Sequence, residues 1–100
     1  MEQSRFPNRL KKYRRYFCFS QKEVAALLGL PDTSPLSRWE KGLVFPNIAH
    51  LFRLCRIYKT MPQELYSDLW RKVSDEIAVA EKNLLTQNES IINSNEIYHL

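Results

Sequence analysis

Seven helix-breaking residues punctuate the first two-thirds of this chain: Pro7, Gly29, Pro31, Pro35, Gly42, Pro46 and Pro62. Between them the apolar residues recur at helical spacing, and no stretch alternates cleanly as a half-buried strand does. The chain therefore reads as an all-α fold of five helices. At 100 residues it has room for one small domain with an appended helix or tail. A chain of this size buries only roughly two-thirds of its unfolded surface, so its core is modest.

Each helix carries its own start or stop signal. Pro7 and Asn8 open the first, with Leu10, Tyr13 and Phe17 on one face and Arg9, Lys12 and Arg15 off it. Ser20-Gln21-Lys22-Glu23 has the form of a capping box, in which hydroxyl and carboxylate each bind the other residue's amide. Val24, Leu27 and Leu28 supply the buried face of this second helix, Ala25 and Ala26 permit close approach, and Gly29 stands at the C-terminal cap. The third helix starts near Asp32, Thr33 or Ser34, takes Pro35 in its first turn, and ends at Lys41 before Gly42. Asn47 caps a fourth, with Ile48, Leu51, Phe52, Leu54, Cys55 and Tyr58 on its apolar side. Thr60 or Met61, followed by Pro62, opens the fifth, which is expected to run to about Leu85 or Thr86.

Charge divides the chain more sharply than composition does. Residues 1–60 hold twelve Lys or Arg against Glu2, Glu23, Asp32 and Glu40, a balance of +8. Residues 61–100 hold Arg71, Lys72 and Lys82 against seven acids, a balance of −4. A basic block before an acidic one suggests a polyanion-binding domain, residues 1–66, and a segment of different purpose, residues 67–100. No apolar run approaches the ~20 residues that span a bilayer, and the first residues lack a signal-peptide pattern, so no membrane association and a cytoplasmic location are expected. Cys18 and Cys55 lie 37 positions apart without a CxxC or a nearby histidine pattern, which points to buried reduced thiols, no metal and no cofactor. G-x-S-x-G, the P-loop and H-E-x-x-H are all absent, and catalysis is not expected.

The runs from Phe19-Ser20-Gln21 to Leu27-Leu28-Gly29, then Leu36-Ser37-Arg38-Trp39-Glu40-Lys41-Gly42, then Pro46-Asn47-Ile48 resemble the Cro/lambda-repressor-type helix-turn-helix family, also called the xenobiotic-response-element family. The similarity covers about residues 8–66. It departs from the family pattern in one respect: ten steps separate Gly29 from Trp39 where nine are usual, with Pro31 or Asp32 as the insertion. The resemblance implies a five-helix domain whose third helix lies in the DNA major groove, its N-terminal residues facing base edges. Counted back from Trp39, the base-reading positions become Thr33, Ser34 and Arg38, with Ser37 one step around the helix. Arg38 is the strongest of these, since a guanidinium bonds bidentately to guanine O6 and N7. Its alternative is an ion pair with Glu40 or Asp32. Gln21 matches a position that commonly binds backbone phosphate in the family. Lys22 and Lys41 add charge, and Asn47 is placed to donate at the start of the fourth helix. Arg9, Lys12, Arg14 and Arg15 either touch the flanking backbone or form a solvated face. Trp39 is expected in the core, with base stacking as the sharper alternative. Leu10, Phe19, Val24, Leu28, Leu36, Ile48, Leu51 and Leu65 complete the expected core, and His50 is expected on the surface.

A second stripe, Tyr66, Trp70, Val73, Ile77, Ala80 and Leu84, steps by four and three as a heptad seam does. It allows a helix folded back on its own domain or a homodimer interface. The dimer is preferred because the seam outruns what a core of this size needs, and two-fold symmetry suits paired half-sites about ~34 Å apart. Residues 87–100, with Ile91-Ile92, Ile97-Tyr98 and His99, read equally as a frayed tail, a swapped segment or a partner-binding peptide. The expected function is that of a sequence-specific double-stranded DNA binder, a transcriptional regulator and more readily a repressor than an activator. The alternative is an antitoxin, a class the family includes, whose 67–100 segment holds a protein partner and which regulates itself through DNA.

Overall fold

The computed structural model describes the backbone of residues 5–95 and the side chains of residues 5–88. The side chains of Ile91 and Ile92, and all of Ile97, Tyr98 and His99, lie outside the described residues. The described residues form six helices and no strand: α1 (Leu10–Tyr16), α2 (Gln21–Leu27), α3 (Ser34–Glu40), α4 (Ile48–Ile57), α5 (Pro62–Leu65) and α6 (Ser67–Asn95). The chain divides into two compact units, Met1–Trp70 and Arg71–Leu100. The first therefore reaches past the boundary expected at residue 66, because Tyr66 and Leu69 both pack in its core.

α2 and α4 start on the caps read from sequence. The Ser20 hydroxyl accepts from the Glu23 amide at 3.0 Å, and the Glu23 carboxylate accepts from the Ser20 amide at 2.8 Å. Asn47 accepts from the His50 amide at 2.8 Å. Helix ends share one device. After α1, α2, α3 and α4 the chain enters the left-handed region at Cys18, Gly29, Gly42 and Lys59, and the next amide binds a carbonyl five residues back. Glycine at two of these positions makes the conformation free of Cβ strain; the other two accept it with a side chain.

The expected fifth helix is two helices. α5 ends at Leu65, and Tyr66 lies outside the helical basin at φ −122 and ψ 56. The Leu65 carbonyl, which would accept from residue 69 in an unbroken helix, instead accepts from the Arg9 amide at 2.8 Å. α6 then restarts, with the Trp70 amide on the Tyr66 carbonyl, and continues to Asn95, beyond the end expected near Leu85 or Thr86.

Leu10, Val24, Leu28, Leu36, Trp39, Leu54, Cys55, Tyr58, Leu65 and Tyr66 form the core of the first unit, with Phe19 and Leu51 half-buried at its edge. Three expected core residues are outside it: Leu27, Ile48 and Phe52 are each more than half exposed. α4 buries the arc through Leu54, Cys55 and Tyr58, and at 3.6 residues per turn Phe52 lies more than a quarter-turn from its centre. Leu27 stands off the Val24–Ala25–Leu28 arc of α2 in the same way. Tyr66, expected at the head of the seam, is instead buried, with its ring 5.3 Å from that of Phe45. Cys55 is buried, which pushes its thiol up from the usual range, whereas Cys18 is exposed, against the expectation of two buried thiols. No described helix is long and apolar enough to cross a membrane.

Candidate nucleic-acid interface

α3 is about two turns of helix with two faces. Leu36 and Trp39, three apart, point into the core, and Pro35 occupies the first turn, where its missing N–H leaves no bond unmade. The same geometry turns Ser34, Arg38 and Lys41 outward, with Ser37 half-buried beside them. Thr33 is also half-buried, and its carbonyl accepts from the Ser37 amide at 2.9 Å. The helix opens without a side-chain cap from Thr33; Asp32 supplies one by accepting from the Ser34 amide at 2.8 Å.

The one acid on α3, Glu40, does not share that outer face. Its side chain is 3% exposed and bonds Arg14 of α1 through two parallel contacts, Nε to Oε2 at 2.6 Å and Nη2 to Oε1 at 3.0 Å. Arg14 donates further to the Phe19 carbonyl, and Gln21 Nε2 donates to Glu40 Oε1 at 3.0 Å. The hydrogen bonds to Glu40 raise the Arg14 guanidinium above its already high range, outweighing its partial burial, so Arg14 keeps its charge. This network joins α1, the start of α2 and the end of α3. It also removes Glu40 as a partner for Arg38, and Asp32 is occupied at the Ser34 amide, so neither alternative for Arg38 is realised among the described contacts.

One expectation is corrected here. Arg14 is not part of an outward basic face, since its side chain is only 11% exposed and held inward by Glu40. Arg9, Lys12 and Arg15 remain exposed. Gln21 is half-buried, and one N–H of its carboxamide donates to Glu40, which leaves the second N–H uncommitted to that bond. Lys22 and Lys41 are exposed, and Asn47 uses its side-chain oxygen as the cap of α4. Trp39 is 6% exposed, with its ring 5.5 Å from that of half-buried His50, which leaves it no face for base stacking.

Sequence reasoning missed the roles of Arg14 and Asn8. The Asn8 carboxamide donates to the Trp39 carbonyl at 2.9 Å across 31 positions and accepts from the Leu10 amide, tying the start of α1 to α3. The proximity of Asn8 to Pro7 signalled a helix start but not this distant partner. Among the described residues, no group of three His, Cys, Asp or Glu could hold a metal ion. Compared with protein-family models, curated proteins and solved structures, the chain matches none.

Proposed function

We propose that this chain binds double-stranded DNA sequence-specifically, through a helix-turn-helix formed by α2 and α3, and acts as a transcriptional regulator of the repressing kind. The observation that carries the reading is the segregation of charge on α3. Its only carboxylate is buried against Arg14, while Ser34, Arg38 and Lys41 face outward. A face with a guanidinium, an ammonium and a hydroxyl, whose one neighbouring acid, Asp32, accepts from the Ser34 amide at the helix start, suits base edges and phosphates. The buried network supports the same reading, because it holds α1, α2 and α3 to one another and so fixes what α3 presents. The +8 balance of residues 1–60 supplies the long-range attraction to a polyanion.

Arg38 then reads a base, and Lys22 and Lys41 neutralise phosphates. Arg38→Ala is expected to lose roughly 1–3 kcal/mol of discrimination at one base pair. Lys22→Ala and Lys41→Ala are expected to weaken all sequences alike and to flatten the salt dependence by about one unit each. Titration of a cognate duplex at several salt concentrations separates the two effects, and variants indistinguishable from wild type would end the proposal.

The chain acts as a dimer in this reading, joined through Trp70, Val73, Ile77 and Leu84 of α6, all of which are exposed. The same exposed side chains support a second reading, an antitoxin-type protein whose residues 67–100 hold a partner protein. Co-purification of a small basic protein at fixed stoichiometry favours that reading.

A further inference from the structure

In the second unit, every side chain of residues 71–87 is exposed except half-buried Ser74. A helix that buries so little gains little from packing within one chain, whereas a stripe covered by a partner adds the burial that stabilises most helices in proteins. Val73, Ile77 and Leu84 are large, apolar and exposed, and with Trp70 they step by three, four and seven along the helix. Ala80 fills the remaining seam position, and Gln87 is the next. Glu76 flanks the seam on one side and Glu81 flanks it on the other.

Two copies of this seam can meet in two orientations, and they are not equivalent. In a parallel, in-register pair Ala80 faces Ala80 and leaves a void between two small side chains. The same arrangement sets Glu76 of each helix beside Glu81 of the other, since flanking positions five residues apart meet across a parallel pair. Like charges at that distance repel, and the contact occurs twice. Turning one helix end for end about the point between Ala78 and Val79 removes both faults. Ile77 then packs on Ala80 of the second copy and Val73 on its Leu84, so large meets small and the layers interdigitate. Glu76 lies beside Asn83 and Glu81 beside Ser74, each a hydrogen-bonding neighbour in place of a like charge.

We infer that α6 pairs with α6 of a second copy in the antiparallel sense, with residue 73 against 84 and residue 77 against 80. The inference rests on the dimer in the proposed function and is independent of whether DNA is bound. Oxidative cross-linking tests it on the full chain. Cys18→Ser removes the exposed native thiol, leaving Cys55 buried, and Val73→Cys and Leu84→Cys are made singly in that background. Both positions are exposed in the single chain, so neither substitution disturbs the core of the first unit, and sedimentation of the wild-type chain reports the dimer without them. The expected result is a disulfide-linked dimer when the two variants are mixed, at least tenfold above either variant alone. Cross-linking of each variant with itself, equal to or above the mixture, indicates the parallel pair and overturns the inference. A dimer by sedimentation that cross-links in no combination places the interface elsewhere and overturns it too. A monomer by sedimentation overturns the dimer on which it rests, while duplex titration reports separately on DNA binding.

Discussion

Cys18 and Lys59 hold left-handed backbone at φ 62 and φ 51, where a Cβ is strained and glycine is not. Cys18→Gly and Lys59→Gly are each expected to stabilise the fold by about 0.5–1 kcal/mol, the relief of strain exceeding glycine's added chain entropy. Urea denaturation checks this, and a loss of stability contradicts it. These two turns also show a limit of reading caps from sequence. Gly29 and Gly42 advertise the ends of α2 and α3, whereas Cys18 and Lys59 end α1 and α4 with the same hydrogen bonds and no glycine to mark them. Tyr58 and Tyr66 carry a different consequence. Both hydroxyls are buried without a hydrogen-bond partner, and burial pushes Tyr66 up to about 12 and Tyr58 higher still. An unfolded tyrosine ionises near ~10, so above that pH the unfolded chain releases a proton that the folded chain keeps. Stability is therefore intact below about pH 10 and declines toward pH 12, by on the order of 2–3 kcal/mol for Tyr66. Tyr66→Phe should lose less stability than wild type between pH 8 and pH 11, and equal losses would count against the burial argument.

At the scale of elements, the Arg14–Glu40–Gln21 network is what turns three short helices into one presenting surface. Glu40→Ala leaves Arg14 as an uncompensated charge of low exposure and is expected to destabilise by about 3–5 kcal/mol. Replacing both partners with apolar residues of similar volume should cost much less, and a double-mutant cycle in urea measures the coupling. Additive losses would show that the pair is not the link. The helices themselves were legible, because capping boxes, prolines and spacing are local signals. Glu40 looked like an ordinary helix-end acid, since its partner lies 26 positions away. The break between α5 and α6 was hidden for the same reason: Pro62 announced a helix start, but the Leu65 carbonyl is captured by the distant Arg9 amide. Phe52 and Leu27 were misread because a short amphipathic helix allows more than one apolar arc, and only packing selects between them.

The molecule as a whole combines a basic unit with a helix that carries exposed apolar and acidic side chains. Of the side chains proposed to read bases, Ser34 and Arg38 are exposed and Thr33 is half-buried, while Gln21 donates to Glu40. That difference arises because sequence fixes a residue's place on a helix but not which neighbour claims its side chain. We propose that the outer face of α3 reads duplex sequence. The measurement that tests it most directly selects bound fragments from a random duplex library at ~150 mM salt, for wild type and Arg38→Ala in parallel. Wild type is expected to enrich an inverted repeat with half-sites about one helical turn apart. Arg38→Ala is expected to lose preference at one guanine in each half-site. Retention of fragments without a shared motif, or an unchanged motif in the variant, would contradict the proposal.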